Sequence, residues 1–377
     1  MIATHELVYG APQALRDYLL MSGAERVLFV AHPLEHSSKK SRCDLFIDGR
    51  REREVYRLSR FKLPLIGYLI DVGLTFIWTL RFSRGSDLFV GVDPLNGVVG
   101  LILRKFRLTK KMIYYTIDYT PIRFSNALLN WIYHRLDSLC VRYADETWNV
   151  SPKIAEARAE FDGMVGNRYA RQHVVPIGVW YDKVKRLPFD QIKKSQLIFV
   201  GHLLEKQGVQ LVLEALPQII NAIPNFHFLV VGGGEYETTL RSIARTRGVE
   251  GYVTFSGWIR DRHKLDMVMA DSAVAVAPYD RRKDSFTQYA DPTKLKDYLS
   301  AGLPIVLTDV PHNAYELEQR NCAVVVPYDA ERLASAVVKL MKNDSLLDEY
   351  RKNALGFAAS LDWHKVFSEA FAISGYT

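Results

Sequence analysis

The chain has 377 residues, of which 48% are hydrophobic and 24% are charged, so two domains are expected and a disordered, collagenous or coiled-coil protein is excluded. Its 49 basic and 42 acidic side chains give a formal net charge of +7. This mildly basic balance suits a phosphate-bearing ligand or an anionic membrane surface as well as nucleic acid.

The N-terminal segment MIATHELVYGAPQALRDYL has no basic region followed by an apolar core, so it predicts no signal peptide. The three cysteines, Cys43, Cys140 and Cys322, are widely spaced and odd in number. They indicate neither a disulfide framework nor a metal cluster, and a reducing compartment fits them best. We therefore expect a cytoplasmic protein.

The segment 63–80, LPLIGYLIDVGLTFIWTL, is long and apolar enough to suggest a membrane span. Asp71 lies near its middle, and a carboxylate at that depth is costly, so we expect a helix that does not span. Two interpretations stay open. The segment is either a buried helix of an α/β domain or an interfacial element beside the basic residues Lys39, Lys40, Arg42 and Arg50 to Arg53.

In the first half of the chain, short apolar runs alternate with helical patterns. The predicted strands are 26–31, 87–92, 111–118, 146–150 and 173–177, and the predicted helices are 63–82, 95–106 and 128–143. This alternation predicts βαβ units and a parallel sheet. The polar, basic stretch 181–195 is predicted to be a linker between domains.

The same alternation restarts beyond the linker and predicts a second α/β domain of similar size. Its predicted strands are 196–203, 227–231, 252–256, 273–277, 304–307 and 322–326, and its predicted helices are 209–220, 236–247, 261–269 and 293–300.

Open parallel sheets bind ligands beyond the carboxyl ends of their strands, so the loops at those ends are candidate sites. Gly232-Gly233-Gly234 follows a strand and precedes a helix, which suits either a phosphate or a tight turn. Gly201 ends another strand and is followed by His202 and Lys206. Lys294 and Asp297 share one helix face, where they form either a diphosphate site or a solvated ion pair.

The order of these pieces is LIFVGHLLEKQGVQLVLEAL, FLVVGGGEYETTL, VTFSGWI, ADSAVAVAPY and PTKLKDYLSAGLPIVLTD. In this order they resemble the carboxy-terminal domain of GT-B glycosyltransferases, particularly family-4-like enzymes. The amino-terminal half matches only in organisation. Its first loop, and an Asp closing the strand KMIYYTID, look more like bacterial membrane-associated glucuronosyltransferases of exopolysaccharide synthesis.

The resemblance implies an α/β protein with two Rossmann-like domains facing across a cleft. Residues 1–185 would bind the acceptor, residues 186–355 the nucleotide-sugar donor, and residues 356–377 would form a helix returning to the first domain. The implied enzyme is a hexosyltransferase that moves a sugar from a nucleotide-diphosphate sugar, UDP-linked rather than GDP-linked, to a lipid-linked or polysaccharide acceptor. It would need no cofactor or metal. It would work in the cytoplasm and, where it contacts a membrane, at the inner face of that membrane.

Carried over residue by residue, the resemblance also implies a donor site. Trp258 and Ile259 would hold the nucleobase by backbone contacts, and Asp297 would bond the ribose. The residues implied to face the diphosphate are Gly201, His202, Lys206, Gly233 and Lys294.

Three family residues are replaced in this chain. Family-4 enzymes usually have Lys where Gln207 stands, and Arg where His202 stands. Tyr289 replaces a Glu that contacts the donor sugar, so a different sugar specificity is implied, with Asp284 or Asp291 taking over that contact.

On the acceptor side, Asp118 ends a strand of the first domain. It is interpreted either as the base that deprotonates the acceptor hydroxyl or as an Asx-turn or helix cap. His32 and His36 follow another strand and would contact the acceptor or the leaving phosphate, and Asp93 is a further acceptor-side candidate. Pro33 between the two histidines, and the lack of a third ligand, argue against a metal site. Retention or inversion stays open.

A non-catalytic nucleotide-sugar-binding partner of an active transferase is kept open by Tyr289 and Gln207. A nucleotide-sugar epimerase or a glycogen-synthase-like transferase would use the same fold. Nucleic-acid binding is not expected, because the sequence has no run of interleaved basic and aromatic residues.

Overall fold

A computed structural model describes residues 1–5, 9–33, 40–57, 64–83, 85–169, 171–283 and 286–376. These residues form two compact units, each built around its own sheet. The first unit comprises Met1–Pro176 together with Trp363–Thr377, and the second comprises Ile177–Asp362.

The first unit contains an eight-stranded sheet with the strand order β4-β3-β2-β1-β5-β6-β7-β8. Its strands are β1 (Ile2–Thr4), β2 (Arg26–Ala31), β3 (Ser41–Ile47), β4 (Arg50–Arg57), β5 (Ser86–Gly91), β6 (Thr109–Thr116), β7 (Glu146–Asn149) and β8 (Gln172–Val174). β2, β3 and β4 pair antiparallel at one edge, and the other pairs are parallel. The chain order reverses between β1 and β5, which is where an open sheet of this kind presents its ligand crevice.

Helices cover the first sheet. They are α1 (Ala11–Met21), α2 (Pro64–Phe82), α3 (Pro94–Lys105), α4 (Ala127–Tyr143) and α5 (Pro152–Asp162). α3 packs between α2 and α4. The core beneath these helices includes Phe89, Val99, Leu103 and Met112, all almost fully buried, so apolar burial positions the strand ends where polar residues follow.

The second unit contains a six-stranded parallel sheet with the order β11-β10-β9-β12-β13-β14. Its strands are β9 (Lys193–Val200), β10 (His227–Val231), β11 (Val253–Gly257), β12 (Ser272–Ala277), β13 (Ile305–Thr308) and β14 (Ala323–Val326). The order reverses between β9 and β12. β12 is SAVAVA and wholly buried, as expected for a central strand covered on both faces.

The helices of the second unit are α6 (Val209–Ala222), α7 (Glu237–Thr246), α8 (Arg262–Ala270), α9 (Thr293–Ser300), α10 (Ala314–Gln319), α11 (Ala330–Met341) and α12 (Asp344–Ser360). Two apolar clusters form the core of this unit. The first joins α6 and α11 to the sheet, and the second joins α9 and α12 to it.

The last helix, α13 (Trp363–Ile373), belongs to the first unit. Phe371 stacks on Tyr18 of α1 with ring centroids 5.9 Å apart, and Trp148 Nε1 donates to Ser374 Oγ at 3.0 Å. The aromatic residues of the C-terminal segment therefore attach it to the sheet of the first unit.

The strands and helices expected from the sequence are present, with ends shifted by a few residues. The units divide after Pro176 and Asp362, rather than at 185/186 and 355/356. Segment 177–192 is held by the second unit, because Ile177 N donates to Asp291 at 2.8 Å and Arg186 Nε donates to Ser300 O at 3.0 Å. The expected linker 181–195 therefore lies within that unit, and β9 begins at Lys193.

Helix α2 shows how the apolar segment 63–80 is used. Its Asp71, Thr75, Trp78 and Thr79 are buried inside the first unit, whereas Leu69 is 71% exposed. Among the described residues, no helix has the length and hydropathy needed to cross a membrane.

Candidate substrate-binding sites

The reversal point of the second sheet brings Gly201 and Lys294 together. Gly201 follows β9 with φ +153°, and a Cβ there would lie 3.2 Å from Lys294 Nζ. Lys294 Nζ donates to Gln207 Oε1 and lies 4.5 Å from the ring centroid of Phe199. The ammonium group is thus placed directly beside the backbone at the end of the central strand, where an anion would meet a cation.

The glycine loop after β10 packs against this strand end. Gly232 N donates to Gly257 O at 2.9 Å, and Leu203 N donates to Gly233 O at 3.0 Å. A Cβ on Gly232 would lie 1.8 Å from Gly201 O, so only glycine permits the two loops to approach so closely.

Trp258 follows β11 and stands at the edge of this loop cluster with 58% of its surface exposed. The ring centroids of His202 and Trp258 are 5.4 Å apart in an edge-to-face arrangement, and Gly233 lies against the indole. Ile259, by contrast, packs into the core of the unit. An exposed indole beside backbone N–H groups is a surface on which a flat ring can stack.

Asp297 on α9 is bound by Arg262 at the start of α8. Arg262 Nη2 lies 2.7 Å from Asp297 Oδ1, and Arg262 Nε lies 2.8 Å from Asp266 Oδ1. Burial raises the pKa of Asp297, and the neighbouring guanidinium opposes that rise. Asp297 therefore pairs with Arg262, and the ion pair with Lys294 considered from the sequence is not formed.

The remaining donor-side candidates are spread around this site. Lys206 Nζ lies 5.6 Å from the ring centroid of Phe286, and Tyr289 is half-buried in the turn that follows. Asp291 is buried, with Lys296 Nζ at 2.6 Å from its Oδ1, so it has no surface with which to contact a sugar. Asp284 lies outside the described residues.

In the first unit, the reversal point brings together His5, which follows β1, and Asp93, which follows β5. His5 Nδ1 lies 3.0 Å from Asp93 Oδ2, and Asp93 caps α3 by accepting from Asn96 N at 3.0 Å. Burial lowers the pKa of His5, but the carboxylates of Asp93 and Asp71 outweigh it and raise that pKa to about 10. Burial raises the pKa of Asp93, but the His5 imidazolium and the hydrogen bonds from Asn96 outweigh it and lower that pKa to about 2.

His5 and Asp93 line a cavity of about 80 Å³ together with Asp118, Arg123 and Tyr133. Asp118 pairs with Arg123, and Tyr133 OH donates to the backbone carbonyl of Asp118 at 3.2 Å. Within the described part of the chain, the buried Oδ1 of Asp118 has no hydrogen-bond partner. Asp118 thus does not cap a helix here, and one carboxylate oxygen is left to accept a hydroxyl proton or hydrogen bond.

His32 lies beneath this cavity rather than in it. It is fully buried, with Nδ1 at 2.9 Å from Ser41 Oγ and Nε2 at 2.7 Å from Thr75 Oγ1. Burial lowers its pKa despite the nearby Asp71. His32 therefore has no surface in this structure with which to contact a substrate, and His5 occupies the position expected of it. His36 lies outside the described residues.

Three functional candidates were not found from the sequence: His5, Arg123 and Arg262. His5 follows a strand of only three residues, IAT, too short for its alternation to be recognised. No local sequence pattern distinguishes Arg123 and Arg262 from surface arginines. Only their ion pairs with Asp118 and Asp297 in the structure distinguish them.

In the described residues, no group of three or more His, Cys, Asp or Glu side chains is arranged to hold a metal ion. Cationic side chains at the two sites include Lys294, Arg262, Arg123 and His5.

Comparison with solved structures identifies the class of fold. The E. coli structure described as "Trehalose-6-phosphate from E. coli bound with UDP-2-fluoro glucose" has a TM-score of 0.72 at 13% identity, covering 99% of this chain and 98% of that one. This likeness shows the fold alone. It confirms the predicted α/β class with two Rossmann-like domains of the GT-B type.

Residues 194–343 match the family model "Glycosyl transferases group 1". This segment contains Gly201, Gly233, Trp258, Lys294 and Asp297.

Two curated relatives match part of the chain. The phosphatidyl-myo-inositol mannosyltransferase of Mycobacterium leprae is 28% identical over 205 residues, 53% of this chain and 52% of that protein. A GDP-mannose-dependent alpha-(1-6)-phosphatidylinositol monomannoside mannosyltransferase of Mycobacterium tuberculosis is 26% identical over 237 residues, 60% of this chain and 59% of that protein. The chain thus spans about half the length of the curated relatives it matches.

Proposed function

We propose that the chain is a glycosyltransferase whose second unit binds a nucleotide-diphosphate sugar and whose first unit binds the acceptor. The observation that carries the proposal is the position of Lys294 Nζ beside Gly201, at the reversal point of the sheet in the segment that matches the glycosyl transferases group 1 model. A cation at the strand ends of an open parallel sheet suits a diphosphate.

The chemistry required of the second unit is stabilisation of the leaving nucleoside diphosphate. As the bond between the donor's sugar and its diphosphate breaks, negative charge grows on the diphosphate. Lys294 donates hydrogen bonds to that diphosphate. The exposed indole of Trp258 supplies a surface for the nucleobase, and Asp297, oriented by Arg262, accepts from the ribose hydroxyls. His202 and Lys206 contribute further donors near the diphosphate.

The chemistry required of the first unit is orientation of the acceptor hydroxyl. The unpartnered Oδ1 of Asp118 accepts that hydroxyl, while Arg123 holds the other oxygen of the carboxylate. His5 and Asp93 line the same cavity and supply further polar groups for the acceptor. In an inverting reaction, Asp118 would take the hydroxyl proton.

The acceptor is proposed to be lipid-linked or a growing glycan, and the working place the cytoplasmic side of a membrane. The names of the mycobacterial relatives refer to phosphatidylinositol acceptors, which supports a lipid-linked acceptor here. For the donor we propose UDP before GDP. A relative is named for GDP-mannose and a structural neighbour was bound to a UDP-glucose derivative, so both nucleotides belong in the test.

The first experiment is a thermal-shift panel of UDP, GDP, UDP-glucose, UDP-glucuronate and GDP-mannose. A ligand that binds only the folded state raises its melting temperature by mass action. We expect a shift with one nucleotide and a larger shift with one of its sugars. Absence of any shift would contradict the donor site.

A second measurement separates the proposal from its alternatives. The preferred donor is incubated with and without a phospholipid acceptor mixture, and the products are identified. Transfer to the acceptor supports the proposal. Isomerised donor without acceptor would indicate an epimerase, and binding without any product would favour a non-catalytic partner.

A further inference from the structure

Large hydrophobic side chains are exposed unevenly on the two units. Among the described residues of the second unit, only Tyr252, Trp258 and Tyr315 are exposed in this way. The first unit exposes many more, and those within and next to α2, α3 and α4 are Ile66, Leu69, Ile77, Ile102, Phe106, Ile122, Leu128, Trp131, Leu139 and Tyr143. Such a concentration on one layer of helices marks an interaction surface.

Helix α4 presents one continuous outer face. Leu128, Trp131, Arg135, Leu139 and Arg142 follow one another at spacings of three and four residues, so they share a side of the helix. Leu128 is 64% exposed, and Trp131 is 56% exposed. Arg135 lies over the Trp131 ring, with its guanidinium carbon 5.4 Å from the ring centroid.

The acidic residue of α4 does not contribute to this face. Asp137 is fully buried, where Arg158 Nη2 lies 2.7 Å from its Oδ1. The outer side of α4 is therefore apolar and cationic without any carboxylate of its own.

The neighbouring end of α3 continues the same surface around a groove of about 870 Å³. Val98, Leu101, Ile102, Leu139 and Tyr143 supply its apolar lining. Its charged lining residues are all cations: Arg104, Lys105, Arg107 and Lys110.

Two of these cations are neutralised in part. Arg104 Nη2 lies 2.7 Å from Asp145, and Lys110 Nζ lies 2.6 Å from Asp87. In the part of the chain that the structure describes, no carboxylate pairs with Lys105 or Arg107. The groove therefore keeps a positive charge that a negatively charged partner would complement.

We propose that the outer face of α4 and the α3 groove, together called the α3–α4 face, bind the surface of an anionic lipid bilayer. A soluble anion would need only the cations, whereas this surface also offers an exposed Trp, Leu and Phe side chain for the acyl boundary. Amphipathic helices with a cationic rim and large apolar side chains bind bilayers in this way, and basic clusters select anionic lipids.

The α3–α4 face is joined to the candidate acceptor cavity. The backbone N–H groups of Arg123 and Phe124 donate to Asn130 Oδ1 on α4 at 2.7 and 3.2 Å. Ile122, in the same loop, is 73% exposed. Contact with a bilayer would therefore hold the Asp118 loop at the lipid surface. This inference rests on the proposed function in that it explains how a lipid-linked acceptor would reach that loop.

The test is co-sedimentation of the full chain with phosphatidylcholine vesicles, with or without about one third phosphatidylglycerol, at low and high salt. We expect binding to the phosphatidylglycerol vesicles only, weakened by salt. K105E/R107E should lower the partition coefficient by about 30-fold or more, given the usual contribution of each basic residue near such a surface. W131S/L139S should also lose most of its binding.

Matched controls lie on the second unit. K339E/K342E changes charge by the same amount at exposed positions, and Tyr315→Ser removes an exposed aromatic ring. Both are expected to bind vesicles as the unmodified chain does. The proposal is overturned if the unmodified chain binds no vesicles, if it binds both lipid mixtures equally, or if K105E/R107E behaves as its control. Retention on DNA without vesicle binding would also overturn it.

Nucleotide thermal shifts, measured on the same variants, distinguish this inference from the proposed function. We expect every surface variant to keep the shift of the unmodified chain, because the α3–α4 face belongs to the other unit. Absence of any shift in the unmodified chain, with vesicle binding present, would contradict the donor site and leave the proposed lipid surface unaffected.

Discussion

His5 Nδ1 and Asp93 Oδ2 lie 3.0 Å apart although 88 positions separate the two residues in the chain. They meet because β1 and β5 are neighbours in the sheet, at the point where the strand order reverses. Asp71, from α2, approaches the other ring nitrogen of His5 at 3.5 Å. A histidine held between two carboxylates is a charged group fixed at the wall of the candidate acceptor cavity.

This histidine predicts a pH dependence of stability. The folded-state pKa of His5 is raised to about 10, above its value in the unfolded chain, so its stabilising contribution is complete below about pH 6.5. It is lost as the pH rises toward 10, at up to about 1.4 kcal/mol per pH unit. We expect the free energy of unfolding of His5→Gln, measured in urea, to fall less between about pH 7 and about pH 9.5 than that of the unmodified chain. The exposed His263→Gln serves as the control. Equal slopes for all three proteins would refute the charged state of His5.

Lys294→Ala should weaken nucleotide binding by about tenfold to a hundredfold, because it removes a charge-assisted hydrogen bond to the diphosphate. Calorimetric titration with UDP and GDP measures the loss. Lys339→Ala, at an exposed position of α11, should bind as the unmodified chain does. Unchanged affinity in Lys294→Ala would remove the lysine from the diphosphate site and leave it as a partner of Gln207.

Asp118→Asn should lower the transfer rate by about a hundredfold or more, because the amide cannot accept the hydroxyl proton. Nucleotide affinity should not change, since Asp118 belongs to the first unit. The exposed Asp87→Asn is the matched control. Normal turnover in Asp118→Asn would mean that this carboxylate only holds Arg123.

Arg262→Ala tests the ribose contact. Arg262 bridges Asp297 and Asp266, so its removal leaves Asp297 without the cation that orients it. We expect the unmodified chain to bind UDP about tenfold more tightly than 2′-deoxy-UDP, which is the contribution of one good hydrogen bond to a charged group. In Arg262→Ala we expect this ratio of affinities to fall toward one. Arg260→Ala should preserve that preference, since Arg260 is exposed. A preference unaltered by Arg262→Ala would exclude Arg262 from positioning Asp297.

Two adjacent glycines should respond differently to alanine. In Gly232→Ala the new Cβ would meet Gly201 O at 1.8 Å, and because backbone cannot yield, we expect a loss of about 2–4 kcal/mol. In Gly233→Ala the Cβ meets Trp258 Nε1 at 2.7 Å, and that exposed side chain can move aside. Gly233→Ala should therefore lose less than about 1 kcal/mol but bind nucleotide more weakly. Urea unfolding and calorimetry separate the two effects. Equal stability losses would contradict the close loop packing.

The fold class and the donor-side loops were predictable from the sequence. The strand 272–277 contains the continuous apolar run 273–277, and helices begin at recognisable signals such as Pro292 before Thr293, so local periodicity determines most of the second unit. The positions of Gly201, Gly233 and Lys294 in the fold were predictable for the same reason, since each follows a strand or opens a helix.

Only the tertiary structure decided which residues meet. Strand order brought the unrecognised His5 to Asp93, and burial placed His32 beneath the cavity instead of within it. Arg262 and Arg123 gained their carboxylate partners through the approach of separate segments. A local pattern specifies which face of an element is apolar. Which strands become neighbours depends on how all those faces are buried together, and that cannot be determined from any one segment.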